Sequence, residues 1–217
     1  MAQNNVLRWL DGRGWLVFCG GHDASSEVRA LALGRASADG GVAYISFGSG
    51  ELGEQALMDM EDLGAPSGYL VDVLTEDDQT IQNKLADAGI IVVESGISAA
   101  VVRSALLGAA VEGMKVAYQH GAVILAEGFS AAVFGAWITG DAASPVAGLA
   151  WFENIVVVPG ITTAEQSREV QAILSSQPAA IAVGIGLDSA LALGPDGEVE
   201  TWGKRQVTVT LGRNYTG

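Results

Sequence analysis

The segment Ala122-Val123-Ile124-Leu125-Ala126-Glu127-Gly128-Phe129-Ser130-Ala131-Ala132 passes from an apolar run, through a Gly-Phe-Ser turn, into small residues. Ala122–Ala126 reads as a strand and Ser130–Ile138 as a helix. A serine between a buried strand and a helix is the setting of a nucleophile elbow, where a strained turn presents the hydroxyl. Small neighbours are needed there because main chain and helix approach closely. The same spacing also suits a serine N-cap, whose oxygen accepts from the first helical amides. Spacing alone leaves both readings open.

The pattern repeats outward along the chain. Trp15–Cys19, Val42–Phe47, Tyr69–Val73 and Ile90–Val93 are short apolar strands. Helical patterns at Ala24–Ala38, Glu51–Leu63, Asp77–Ala88 and Ile97–Gly113 (one helix or two) lie between them, and strand Ile155–Val158 precedes helix Thr163–Ser175. Continuous apolar strands suit a sheet covered on both faces. Strand–helix alternation predicts a single α/β domain over residues 1–217, three-layer αβα with a mainly parallel sheet. Ala180–Gly184, Ala190–Leu193, Val199–Trp202 and Val207–Leu211 predict a C-terminal antiparallel meander, with a hairpin at Pro195-Asp196-Gly197.

Composition narrows the function. Of 217 residues 49% are hydrophobic, which excludes a disordered chain. Eleven Lys and Arg face 25 Asp and Glu, a formal charge of −14, which argues against nucleic acid and anionic membranes as partners. The single cysteine, Cys19, excludes an intrachain disulfide and a cysteine-based zinc site. It ends an apolar run and reads as a small buried hydrophobe. No metal or other cofactor is expected. No secretory pattern opens the sequence and no apolar run reaches the ~18 residues of a membrane span, so a cytoplasmic protein is expected.

In an open parallel sheet, ligands sit outside the carboxyl ends of the strands. Those positions hold Gly20-Gly21-His22-Asp23, Gly48-Ser49-Gly50-Glu51, Glu94-Ser95-Gly96, Glu127-Gly128-Phe129-Ser130 and Pro159-Gly160-Ile161-Thr162. Glu94 and Glu127 read either as an acid/base pair or as helix-start carboxylates. Gly48, Gly50 and Gly53 match a dinucleotide fingerprint, with Asp72 about 20 residues on as the ribose acid. The bland reading is a turn and a helix start, and Glu51 would repel phosphate. Asp23 reads as an N-cap, and His120 as a helix C-terminal residue.

Gly128-Phe129-Ser130-Ala131-Ala132 resembles the Gly-x-Ser-Ala-Gly motif of the cyanophycinase and aspartyl dipeptidase family. These are serine peptidases on a class I glutamine amidotransferase-like fold. Gly184-Ile185-Gly186-Leu187-Asp188, followed by Ala190-Leu191-Ala192-Leu193, resembles that family's tail, and Gly20-Gly21 fits as well. The likeness implies a serine nucleophile at Ser130. It also implies a catalytic histidine after the next strand, but Pro159-Gly160-Ile161-Thr162-Thr163 holds none. The family's Gly-Gly-Asp/Asn-Gln segment is replaced by Glu94-Ser95-Gly96-Ile97, and an expected acid by Ser189.

A serine without a base is a weak nucleophile. The leading expectation is a divergent member with a broken triad and weak or no peptidase activity, binding a small peptide or amino-acid-like ligand. Its crevice is drawn from Gly21, Ser49, Glu94, Ser98, Glu127, Ala131 and Thr162. One alternative is an active hydrolase in which His22 serves Ser130 as a relocated base and the Ala131 amide lines an oxyanion hole. The other is a dinucleotide-binding module. Apolar residues around Trp137 and Trp151 suggest a homodimer face.

Overall fold

The computed structural model describes residues 6–21, 27–36, 40–48, 50–96, 98–139, 145–213 and 215. The strands are β1 (Trp15–Cys19), β2 (Val42–Ser46), β3 (Gly68–Asp72), β4 (Ile90–Val93), β5 (Val123–Glu127), β6 (Trp137–Ile138), β7 (Val146–Ala147), β8 (Ile155–Pro159), β9 (Ile181–Ile185), β10 (Ser189–Leu193), β11 (Val199–Gly203) and β12 (Val207–Leu211). The helices are α1 (Glu27–Leu33), α2 (Gly50–Asp62), α3 (Asp78–Ala86), α4 (Ala99–Leu106), α5 (Ala109–Gln119), α6 (Phe129–Val133) and α7 (Arg168–Ser176).

A seven-stranded sheet runs β11-β10-β1-β5-β4-β2-β3, and its five central and right-hand strands, from β1 to β3, are mutually parallel. Every residue of β1, β2, β4 and β5 is buried, which accounts for their unbroken apolar sequences. Alternate residues serve opposite faces. Val17, Cys19, Tyr44, Val92 and Leu125 pack under α1 and α2. Phe18, Ile45, Val93 and Ala126 pack with α3, α4, α5, α6 and one face of a second sheet. The chain moves outward from β1 to β2 and β3, then returns through β4 to β5. Right-handed crossovers in opposite directions put their helices on opposite faces. The mixed α/β expectation with a mainly parallel sheet is met.

Three local expectations are corrected. The tail is not a continuous meander. β10 and β11 extend the first sheet antiparallel to β1, whereas β9 and β12 belong to a five-stranded sheet, β12-β9-β8-β6-β7, with β9 parallel to β8. The helix expected over Ser130–Ile138 ends at Val133, and the chain enters β6. A Cβ on Gly135 would lie 2.7 Å from the Ile155 carbonyl, and Ala136 N–H donates to that carbonyl at 2.7 Å, so the backbone is drawn into the second sheet. Trp151 is 2% exposed and meets Phe134 edge-on at 5.2 Å, so it is core and cannot form a dimer face. Ile97–Gly113 resolves into α4 and α5, divided at Gly108 with φ +98. Among the described residues no helix is long and apolar enough to cross a membrane.

Candidate functional site

β5 lies between β1 and β4, so the loops leaving these three strands stand side by side. The strained residue of the strand-to-helix turn is Gly128, with φ +55 and ψ −126. Its N–H continues the sheet ladder to the Cys19 carbonyl at 3.0 Å. The elbow therefore reads Ala126-Glu127-Gly128-Phe129-Ser130, with small residues two positions either side of Gly128. This corrects the expectation for Ser130. Ser130 is 0% exposed, inside the first turn of α6, and its hydroxyl donates to the Glu94 carbonyl. It is a packing residue, not a presented hydroxyl. The Ala131 N–H is likewise engaged, donating to the Gly128 carbonyl at 3.0 Å. The amide following the elbow residue is that of Phe129, which donates to Ser95 Oγ at 3.2 Å.

Glu94 and Glu127 are not helix-start carboxylates. Glu94 is buried beyond β4, and its Oε1 accepts the Phe47 N–H at 2.7 Å. With Ser130 on its carbonyl, Glu94 bolts together the loops after β2, β4 and β5. Glu127 ends β5 on the opposite face from Ala126 and forms a bidentate pair with Arg29 of α1, at 2.9 and 3.0 Å. Asp59 of α2 lies 3.8 Å from the same guanidinium. Burial works against the Arg29 charge, but the Glu127 hydrogen bond and charge outweigh it and hold Arg29 above its ordinary value. Tyr44 is pushed up by burial, reinforced by the charges of Glu127 and Glu94. Burial also pushes the Cys19 thiol up to about 11, which makes it inert, as its apolar setting implied.

The remaining residues fall around this centre or away from it. Gly21 has φ +106, and its carbonyl accepts the Asp188 N–H at 2.9 Å, so the Gly-Ile-Gly-x-Asp segment packs beside the β1 loop. Asp188 itself pairs with Lys204 at 2.6 Å. Thr162 packs toward Gly186, and its carbonyl accepts from the Thr208 hydroxyl. Ser98 caps α4, accepting the Val101 N–H at 3.4 Å. His22, Asp23 and Ser49 lie outside the described residues. His120 follows α5 and lines a cavity of about 240 Å³ with Gly40, Asp87 and Ala122, at the amino ends of the strands. Gly50 opens α2, and a Cβ on Gly53 would meet Leu70 at 2.6 Å, so Gly53 serves helix–strand packing. Asp72 does not present a free carboxylate to a ribose. One oxygen accepts from Leu74 N–H at 2.9 Å and the other from the Thr75 hydroxyl at 2.7 Å. Among the described residues no three of His, Cys, Asp and Glu form a group able to hold a metal ion.

Sequence reasoning missed Gly128 as the elbow residue, Ser95 as its neighbour and Arg29 as the partner of Glu127. One signal was present. Gly128 is the first glycine after the apolar run, the residue type that takes a positive φ at least cost.

A mainly parallel sheet covered by helices, with a strained turn leading from a central strand into a short helix, defines the chain as a mixed α/β fold. That fold is shared with a peptidase from an acI-B1 actinobacterium, at a TM-score of 0.74 and 18% identity over 89% of this chain and 90% of that one. It is shared too with a putative peptidase E from Listeria monocytogenes EGD-e, at a TM-score of 0.61 and 17% identity over 88% of this chain and 98% of that one. No protein-family model matches the sequence, and no curated protein matches it.

Proposed function

We propose that this protein is a divergent, peptidase E-like binding protein. It takes a small peptide or amino-acid-like ligand at the crevice beside Gly128 and does not hydrolyse peptides efficiently. The carrying observation is the elbow itself. Its strained position is a glycine, and the nearby Ser130 is buried with its proton committed to the Glu94 carbonyl. An acyl-transfer site without its nucleophile loses several orders of magnitude in rate. The loop after β8, where the resemblance places a histidine, holds Pro159-Gly160-Ile161-Thr162. The peptidase neighbours support the architecture of such a crevice.

A thermal-shift series with aspartyl dipeptides and free amino acids, run beside an assay for released amine, tests this reading. A raised Tm with no release is expected, since a ligand that binds the folded state stabilises it. No shift with any ligand would remove the binding claim. Amine release that Ser130→Ala abolishes would restore a serine hydrolase.

A further inference from the structure

We propose that Ser95, on the loop after β4, supplies the reactive hydroxyl that the elbow residue lacks. This rests on Gly128 being the elbow residue. A Cβ built on Gly128 would lie 2.3 Å from Ser95 Oγ and 3.0 Å from Ser95 Cβ, so Ser95 fills the place where a nucleophile's side chain would begin. Ser95 Oγ accepts the N–H of Phe129, the residue after the elbow, at 3.2 Å. A donated N–H stabilises negative charge on the oxygen and so favours the alkoxide. Ser95 is half-buried, whereas Ser130 is wholly buried and already donates to a carbonyl. Ser98, the next serine along, is committed as the cap of α4. Ser95 is thus the hydroxyl at this centre that combines access with a charge-stabilising donor.

The substrate class is an activated acyl or phosphonyl compound whose leaving group departs without protonation. With a fluorophosphonate, the Ser95 Oγ–P bond forms and the P–F bond breaks. Fluoride leaves with the electron pair, and the hydroxyl proton passes to a buffer base in place of the general base the site lacks, so labelling is slower than at a base-assisted serine. A peptide bond requires a protonated amine to leave, which this step does not supply. Reactivity at Ser95 and the absence of peptide hydrolysis are therefore compatible.

The experiment is fluorophosphonate labelling of the full chain, with the modified residue located by mass spectrometry. Label is expected on Ser95, absent in Ser95→Ala and unchanged in Ser130→Ala. Label on Ser130 or elsewhere, or none on the folded protein, overturns the proposal. Ser95→Cys covers the case in which Ser95→Ala does not fold. Iodoacetamide should alkylate the thiol at position 95 in the folded variant and spare Cys19. A position-95 thiol that resists alkylation also overturns it. Peptide turnover would defeat the binding-protein reading alone, and missing label would defeat this one alone.

Discussion

Ser130 and Arg29 show how much a single buried polar group contributes. Ser130→Ala removes a hydroxyl that donates to the Glu94 carbonyl in a fully buried site. The expected loss is about 1 kcal/mol, the net contribution of a typical hydrogen bond, read from urea unfolding. Arg29→Ala is more damaging because it leaves the buried Glu127 carboxylate without its bidentate partner. Breaking a buried pair from one side costs about 3–5 kcal/mol, whereas replacing both partners by apolar residues is far milder. Urea unfolding of Arg29→Ala beside Arg29→Met/Glu127→Leu checks that ordering. At this scale the sequence was legible only in part. It marked the segment that carries the elbow but put the strained turn two residues late, since Gly128 and Ser130 both sit among small residues. Ser95 was beyond reach because its contact with Gly128 joins two loops 33 positions apart, a contact set by the pairing of β4 with β5.

Secondary-structure elements were most legible where burial alone determines them. The strands β1, β2, β4 and β5 are apolar throughout because both faces are covered, and their sequences said so. The tail was not legible in the same way. β9, β10, β11 and β12 are local strands, but which sheet each joins is set by its partner outside the tail: β10 pairs with β1, more than a hundred residues away, and carries β11 into the first sheet, whereas β9 pairs with β8 and carries β12 into the second. Helix ends follow individual glycines. Gly108 divides α4 from α5 with φ +98, and a Cβ there would meet nothing within 4 Å. Gly108→Ala thus isolates backbone strain from crowding. A loss of about 1–3 kcal/mol is expected, seen as a lowered thermal midpoint with unchanged helix content. An unchanged midpoint would mean that the break between the two helices does not depend on the glycine.

The whole molecule should be sensitive to alkali. Burial raises Cys19 from 9.0 to about 11 and Tyr118 from 10.0 to about 12. Both groups are neutral when protonated, so the folded state holds its protons while the unfolded chain releases them first. Their stabilising contribution is full below pH 9 and is lost as pH rises through the folded values. The urea midpoint should fall progressively above pH 9, and Cys19→Ala should flatten the early part of that fall. The functional claim belongs to the same scale, because the carboxyl ends of β1, β4 and β5 together hold the elbow. The most direct measurement is amine release from an aspartyl dipeptide by the wild-type protein, with Ser130→Ala and a protein-free blank alongside. If β5 ends in an elbow without a nucleophile, wild type and Ser130→Ala release no more amine than the blank. Turnover by the wild type that Ser130→Ala abolishes would contradict it.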